Sequence, residues 1–163
     1  MLDSGCGTGL SSLRLAERHP QAQVLGIDQS AHRLGRGLPG MPDSVLLLRI
    51  RMEDLWRLLL EAEIRPKRHF LLYPNPWPKP KHLGRRWHAH PVFPDLLKLG
   101  SVELRCNWRP YAEEFALAAR LSGALTSPVV SFRAESPLSP FEAKYQASGH
   151  SLYQLHCVAG ENR

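Results

Sequence analysis

One run of this chain sets polar chemistry beside positive charge: Tyr73-Pro74-Asn75-Pro76-Trp77, followed by Lys79, Lys81, His82, Arg85 and Arg86. The residues before it, 67–73, read as a strand, and Pro74 and Pro76 must end it. Proline neither continues a helix nor donates to a central sheet ladder. Asn75 is thereby presented at a strand's carboxyl end, where open α/β sheets bind ligands. The four cations that follow favour contact with phosphate over a merely solvated basic face. Trp77 suits a base-stacking platform and a core position under the loop equally well.

A second cluster lies at the start. Asp3-Ser4-Gly5-Cys6-Gly7-Thr8-Gly9 fits D-x-G-x-G-x-G. Glycines there let the backbone turn tightly from strand to helix and approach a ligand without a Cβ in the way. The segment 23–28 reads as a strand ending in Asp28, about 20 positions on, the distance at which a carboxylate can accept from ribose hydroxyls. The competing role for Asp28 is to cap a helix over 30–34. The co-occurrence of the two features favours the ribose role.

These groups need a scaffold to bring them together. Segment 44–50 is a continuous apolar run, expected to be a parallel strand buried on both faces. Further strands are expected over 100–106, 128–133 and 151–158, with helices from Leu10, over 55–63 and over 109–121, and a short turn or helix at 94–98. Segment 139–149 reads only as a connection. This alternation predicts a doubly wound α/β sheet. Only Met1, Leu2 and Asp3 are left to form the first, central strand. It is expected to be largely missing, which would make the chain, a single domain over 1–163, N-terminally incomplete and low in stability because ladder edges are exposed.

Composition narrows the classes. The net charge of +6 favours a polyanionic partner. No apolar run approaches the roughly 20 residues of a membrane span, and the start lacks a signal-peptide pattern, so no membrane partner and a cytoplasmic location are expected. Three cysteines (Cys6, Cys106, Cys157) are widely spaced without a C-x-x-C pair, which argues against a disulfide framework or zinc site. His82, His88 and His90 have no Cys or carboxylate at ligand spacing, so no metal is expected.

The glycine turn with its acidic strand tip resembles class I S-adenosylmethionine-dependent methyltransferases. Residues 73–86 look like the F-P-D-P-W-x-K-x-R-H-x-K-R-R block of the bacterial tRNA (guanine-N7-)-methyltransferases. Cys106-Asn107-Trp108-Arg109-Pro110-Tyr111 is similar to that family's T-D-W-x-x-Y, and Ser139-Pro140-Phe141-Glu142 to its T-x-F-E. The resemblance covers essentially the whole chain. It implies a Rossmann-like fold, S-adenosylmethionine as cofactor, tRNA as partner and methyl transfer to N7 of a guanosine.

Carried over by position, it implies that Asp3, Gly5, Gly7, Gly9, Asp28, Arg51, Met52 and Glu53 surround the cofactor. Asn75 takes the catalytic position and also touches the cofactor. Lys79, Arg85, Arg86, Asn107, Ser139, Pro140, Phe141 and Glu142 take the substrate side. Three acidic family positions read Arg51, Asn75 and Asn107 here. A carboxylate accepts from both N1–H and the amino group of guanine, whereas Asn offers one acceptor and two donors. Either Glu142 supplies the missing acceptor, or the chain methylates another nitrogen, in RNA or a small molecule, or is an inactive relative that binds RNA or protein.

Overall fold

A computed structural model describes residues 1–160. Eight strands form one sheet: β1 (Leu2–Ser4), β2 (Val24–Asp28), β3 (Val45–Arg49), β4 (Arg68–Leu72), β5 (Ser101–Cys106), β6 (Leu125–Thr126), β7 (Val130–Phe132) and β8 (Leu152–Val158). Their order is β3-β2-β1-β4-β5-β8-β6, with β7 beside β6 on the same edge of β8. The first five strands are parallel and β8 is antiparallel to β5. The expected doubly wound α/β sheet is the fold found. No helix among the described residues is long and apolar enough to cross a membrane.

Six helices clothe the sheet: α1 (Leu10–Arg18), α2 (Ala31–Leu34), α3 (Met52–Glu61), α4 (Phe93–Lys98), α5 (Arg109–Leu121) and α6 (Pro140–Ala147). The larger core packs Leu55, Trp56 and Leu59 of α3, Phe93 and Leu96 of α4, and Phe115 of α5 against Leu2, Ile27 and Leu104. On the other face Leu15 and Ala16 of α1 meet Phe70, Leu72 and Leu138. The basic run closes into two 3-10 turns, 80–85 and 87–89.

The central strand is as short as expected: Leu2, Asp3 and Ser4 alone pair with β2 on one side and β4 on the other. Two expectations need correction. The apolar run of β3 is not buried on both faces; it is the outermost strand, and Leu46 is 64% exposed. Apolar composition cannot separate an edge from a centre, because strand order is set by the crossovers. Segment 139–149 contains α6, whose cap was legible: Ser139 accepts from Glu142 N, and Pro140 occupies the first turn.

Asp3 is wholly buried beneath the glycine turn, where its carboxylate accepts from the hydroxyls of Ser11 (2.6 Å) and Ser12 (2.7 Å) of α1. Burial pushes its pKa up to about 6, against the two hydroxyl bonds that pull it down. A carboxyl raised in the folded state stabilises fully below its unfolded pKa of about 3.9 and loses that contribution as pH rises through 6. Asp3→Asn keeps an acceptor for the serines and removes the titration. Buried His69, held neutral down to about pH 3, adds a rise with pH to both proteins, so the readout is the difference: in denaturant melts from pH 4 to 7, wild-type stability should fall relative to the Asn variant up to about pH 6 and stay level above it. Parallel pH profiles for the two proteins would refute this role.

Candidate active site

The carboxyl ends of β1, β2, β4 and β5 converge on a cavity of about 440 Å³. Between β1 and β4 the crossovers diverge to opposite sides, the position at which this architecture opens a crevice. Ser4, Gly5, Asp28 and Met52 line one end; Asn75, Trp77, Arg85, Asn107, Phe141 and Tyr145 line the other. Two stretches remote in sequence thus share one space.

At the first end, Gly5 and Cys6 donate their N–H groups to Ile27 O at 2.8 and 3.0 Å, which pins the turn to β2. Gly7 N donates to Asp28 Oδ2 at 3.0 Å. Gly7 has φ +62°, and a Cβ there would meet no atom within 4 Å; the backbone faces open space. Gly9 differs: a Cβ would stand 2.6 Å from Leu47 Cδ1, so its glycine serves packing. The buried Asp28 also accepts at Oδ1 from Ser30 N (2.8 Å) and from the half-exposed guanidinium of Arg33 (2.9 Å). Ser30, not Asp28, caps α2.

At the second end, Tyr73 (φ +54°) and Trp77 (φ +44°) flank Pro74-Asn75-Pro76 in the left-handed region. Each such residue costs on the order of 1–3 kcal/mol and persists only where its surroundings impose it. Asn75 Oδ1 accepts from Trp77 N at 3.3 Å, an Asx turn that shapes the loop. Asn107 Nδ2 lies 3.3 Å from His150 Nδ1. Trp77 is covered: the Arg85 guanidinium sits 4.8 Å over its ring and His82 meets it edge-on at 5.2 Å.

Several residues expected in the site stand elsewhere. Asp3 does not reach the cavity, because it braces α1 from below. Arg51 and Glu53 pair with each other outside it. Lys79 is exposed beyond the rim and Pro140 lies on the surface. Arg86 is buried: it donates to Trp77 O from Nε and Nη2 (both 3.2 Å) and pairs with Glu114 of α5, which also holds His88 at 3.0 Å. It is a clamp for the loop, with its donors turned inward and away from any phosphate. Ser139 is a helix cap.

Glu142 is also internal, at 0% exposure. Its Oε1 accepts from Tyr73 OH (3.1 Å) and Arg105 Nη1 (3.0 Å), and its Oε2 from Leu138 N (2.5 Å). Burial and this carboxylate push the Tyr73 hydroxyl far above its ordinary pKa, so it stays a donor. With Arg105 Nη1 also 3.3 Å from Oε2, both oxygens of Glu142 are occupied twice within the protein, which leaves no acceptor direction turned toward the cavity. Asp28 is the single carboxylate among the described cavity-lining residues. Arg33 and Arg105 carry no local signal of these contacts; for Tyr145 the available signal is its place one helical turn after Phe141.

A family model described as "Putative methyltransferase" matches residues 1–155. The chain is 31% identical to the tRNA (guanine-N(7)-)-methyltransferase of Nitrosococcus oceani, across 95% of this chain and 69% of that protein. It is 32% identical to the protein of the same name from Yersinia pestis, across 95% and 70%. The chain belongs to the tRNA (guanine-N(7)-)-methyltransferase family. Among solved structures, it superposes with a TM-score of 0.67 on a 16S rRNA (adenine(1408)-N(1))-methyltransferase W203A mutant with cosubstrate SAM from Catenulisporales acidiphilia. That match covers 99% of this chain and 86% of that one at 18% identity, a likeness of fold. Of the three positions singled out above, Arg51 sits in a solvent-facing ion pair with Glu53, and Asn75 and Asn107 are two amides in the cavity.

Proposed function

We propose that this chain is an S-adenosylmethionine-dependent enzyme that methylates N7 of a guanosine in tRNA, in the cytoplasm. The observation that carries this reading is the single cavity joining the glycine turn and Asp28 to Asn75 and Asn107, in a chain whose relatives bear that enzyme's name. The first end fits the cofactor. The bare backbone at Gly7 leaves room where a side chain would intrude, and Asp28 presents a buried carboxylate to hydroxyls that displace Arg33.

When bound, the cofactor supplies an electrophilic methyl group on a sulfonium. Guanine N7 carries a lone pair in its ring plane, so no general base is required, and catalysis is mostly positioning. Gly5, Asp28 and Met52 orient the donor. Asn75 and Asn107 contact the base through amide groups, and the strained loop at 73–77 holds Asn75 in place. Leu71, Leu72 and Trp87 close the apolar wall and exclude water.

Incubation with methyl-labelled cofactor and unmodified tRNA, followed by digestion to nucleosides, is expected to yield labelled 7-methylguanosine. Label in another nucleoside, or none with cofactor still bound, would overturn the reading. The exposed cations predict a second result. Lys79→Ala and Arg85→Ala should each lower the slope of log affinity against log salt by about 1, the signature of a lost phosphate contact. Arg86→Ala should leave that slope unchanged while lowering the melting temperature, since its guanidinium is spent on Trp77 and Glu114. Filter binding from 50 to 200 mM salt, a range over which phosphate contacts register strongly, reads both.

A further inference from the structure

Among the described residues, the base end of the cavity has no free carboxylate with which to grip a purine edge, and one face of Trp77, within the 73–77 loop, is occupied by the Arg85 guanidinium. What it does have is a ladder of rings along α6. Phe141 and Tyr145 lie 6.2 Å apart with planes 24° from parallel, and Tyr145 and His150 lie 5.4 Å apart at 26°. Tyr73 leans on Tyr145 at 5.7 Å, and His150 is in turn tied to Asn107. Phe141 and Tyr145 both line the cavity, yet Phe141 is 49% exposed. A large aromatic held half in solvent against Tyr145, itself braced by Tyr73 and His150, is a surface with something still to bury.

We propose that this ladder is the stacking surface for the substrate purine, with Phe141 in contact and Tyr145 and His150 as positioning residues that fix its ring plane. The inference deepens the proposed function and rests on it for the identity of the base. Stacking suits a site whose in-plane partners are amides. An aromatic face attracts every base regardless of its edge, while Asn75 and Asn107 are left to set the orientation of the edge. The alternative bland role for Phe141, apolar cover for the helix start, needs bulk but no flat ring.

That difference sets the test. Phe141→Leu keeps apolar bulk and loses the plane; Phe141→Tyr and Phe141→Trp keep the plane. Loss of a base stack is expected to lower kcat/KM for tRNA roughly 5- to 150-fold in the Leu variant, with recovery in Tyr and Trp. S-adenosylmethionine affinity by calorimetry should not move. Tyr145→Leu should act in the same direction, and Tyr145→Phe should match wild type. A second readout is independent of methyl transfer: 2-aminopurine riboside, whose fluorescence falls on stacking, should be quenched saturably by wild type and by Phe141→Trp but not by Phe141→Leu. Equal kcat/KM for Leu and wild type, or no saturable quenching by wild type, overturns the ladder. Quenching without any 7-methylguanosine would retain the ladder and overturn the proposed reaction.

Discussion

Asp28→Ala is expected to weaken S-adenosylmethionine binding by more than about 100-fold and to lower stability at the same time. One buried carboxylate organises this end of the cavity, accepting from Gly7 N, Ser30 N and Arg33. Its loss leaves two backbone donors without their acceptor. Unsatisfied buried donors cost about 1–3 kcal/mol, and hydrogen bonds to a charged group are worth about 1.5–3 kcal/mol each. The glycine turn would lose its Gly7 tie to β2's tip, keeping those of Gly5 and Cys6 to Ile27 O, as well as the acceptor for the ribose.

Arg33 provides the control. It is half exposed and occupies the Asp28 oxygen that the ribose would take, so Arg33→Ala should bind the cofactor at least as tightly as wild type. Titration calorimetry distinguishes these outcomes. An Asp28→Ala protein that binds within threefold of wild type would remove the carboxylate from the cofactor site altogether.

Glu142→Gln should lower stability by roughly 3 kcal/mol, near the lower bound for breaking a buried ion pair. The substitution puts an amide N–H where Leu138 N, Tyr73 OH and Arg105 already donate. Arg105 would keep its bond to Glu103 at 2.7 Å, which limits the damage. A loss of this size corresponds to about 6–12 °C in melting temperature for a domain of this length. A substrate role predicts the reverse pattern, with kcat/KM collapsing and the melt unchanged. Calorimetry and kinetics on the same preparation therefore decide between a residue that holds α6 to β5 and one that holds guanine.

The two cases show what kind of information a chain displays openly. The glycine turn, the acid at the second strand's tip, and the prolines that stop β4 were all visible, because each acts through its own backbone or its immediate neighbours. Asp28 and Asn75 could be assigned to one site on that basis alone, given the rule that strand ends gather in a doubly wound sheet. Glu142 and Arg86 could not. Their residue types suit substrate contact, and their neighbours in sequence, Arg85 and Trp87 for one and Phe141 and Ala143 for the other, do not say otherwise. Nothing local reports that Arg86 turns back onto Trp77 and Glu114, or that Glu142 faces Arg105 across 37 positions.

β3 gives the same lesson for the fold. Its apolar run fixes a strand, but its place at the edge follows from the route of the crossovers. The sequence by itself determined the sheet architecture, the positions of the turns, the cofactor-side signature and the basic loop, since these depend on φ preferences, periodicity and charge density within a few residues. Only the tertiary structure decided which charged groups are spent internally and which rings meet in the cavity. Buried ions must be paired. Which partners do so is settled by packing between segments that the linear chain keeps far apart.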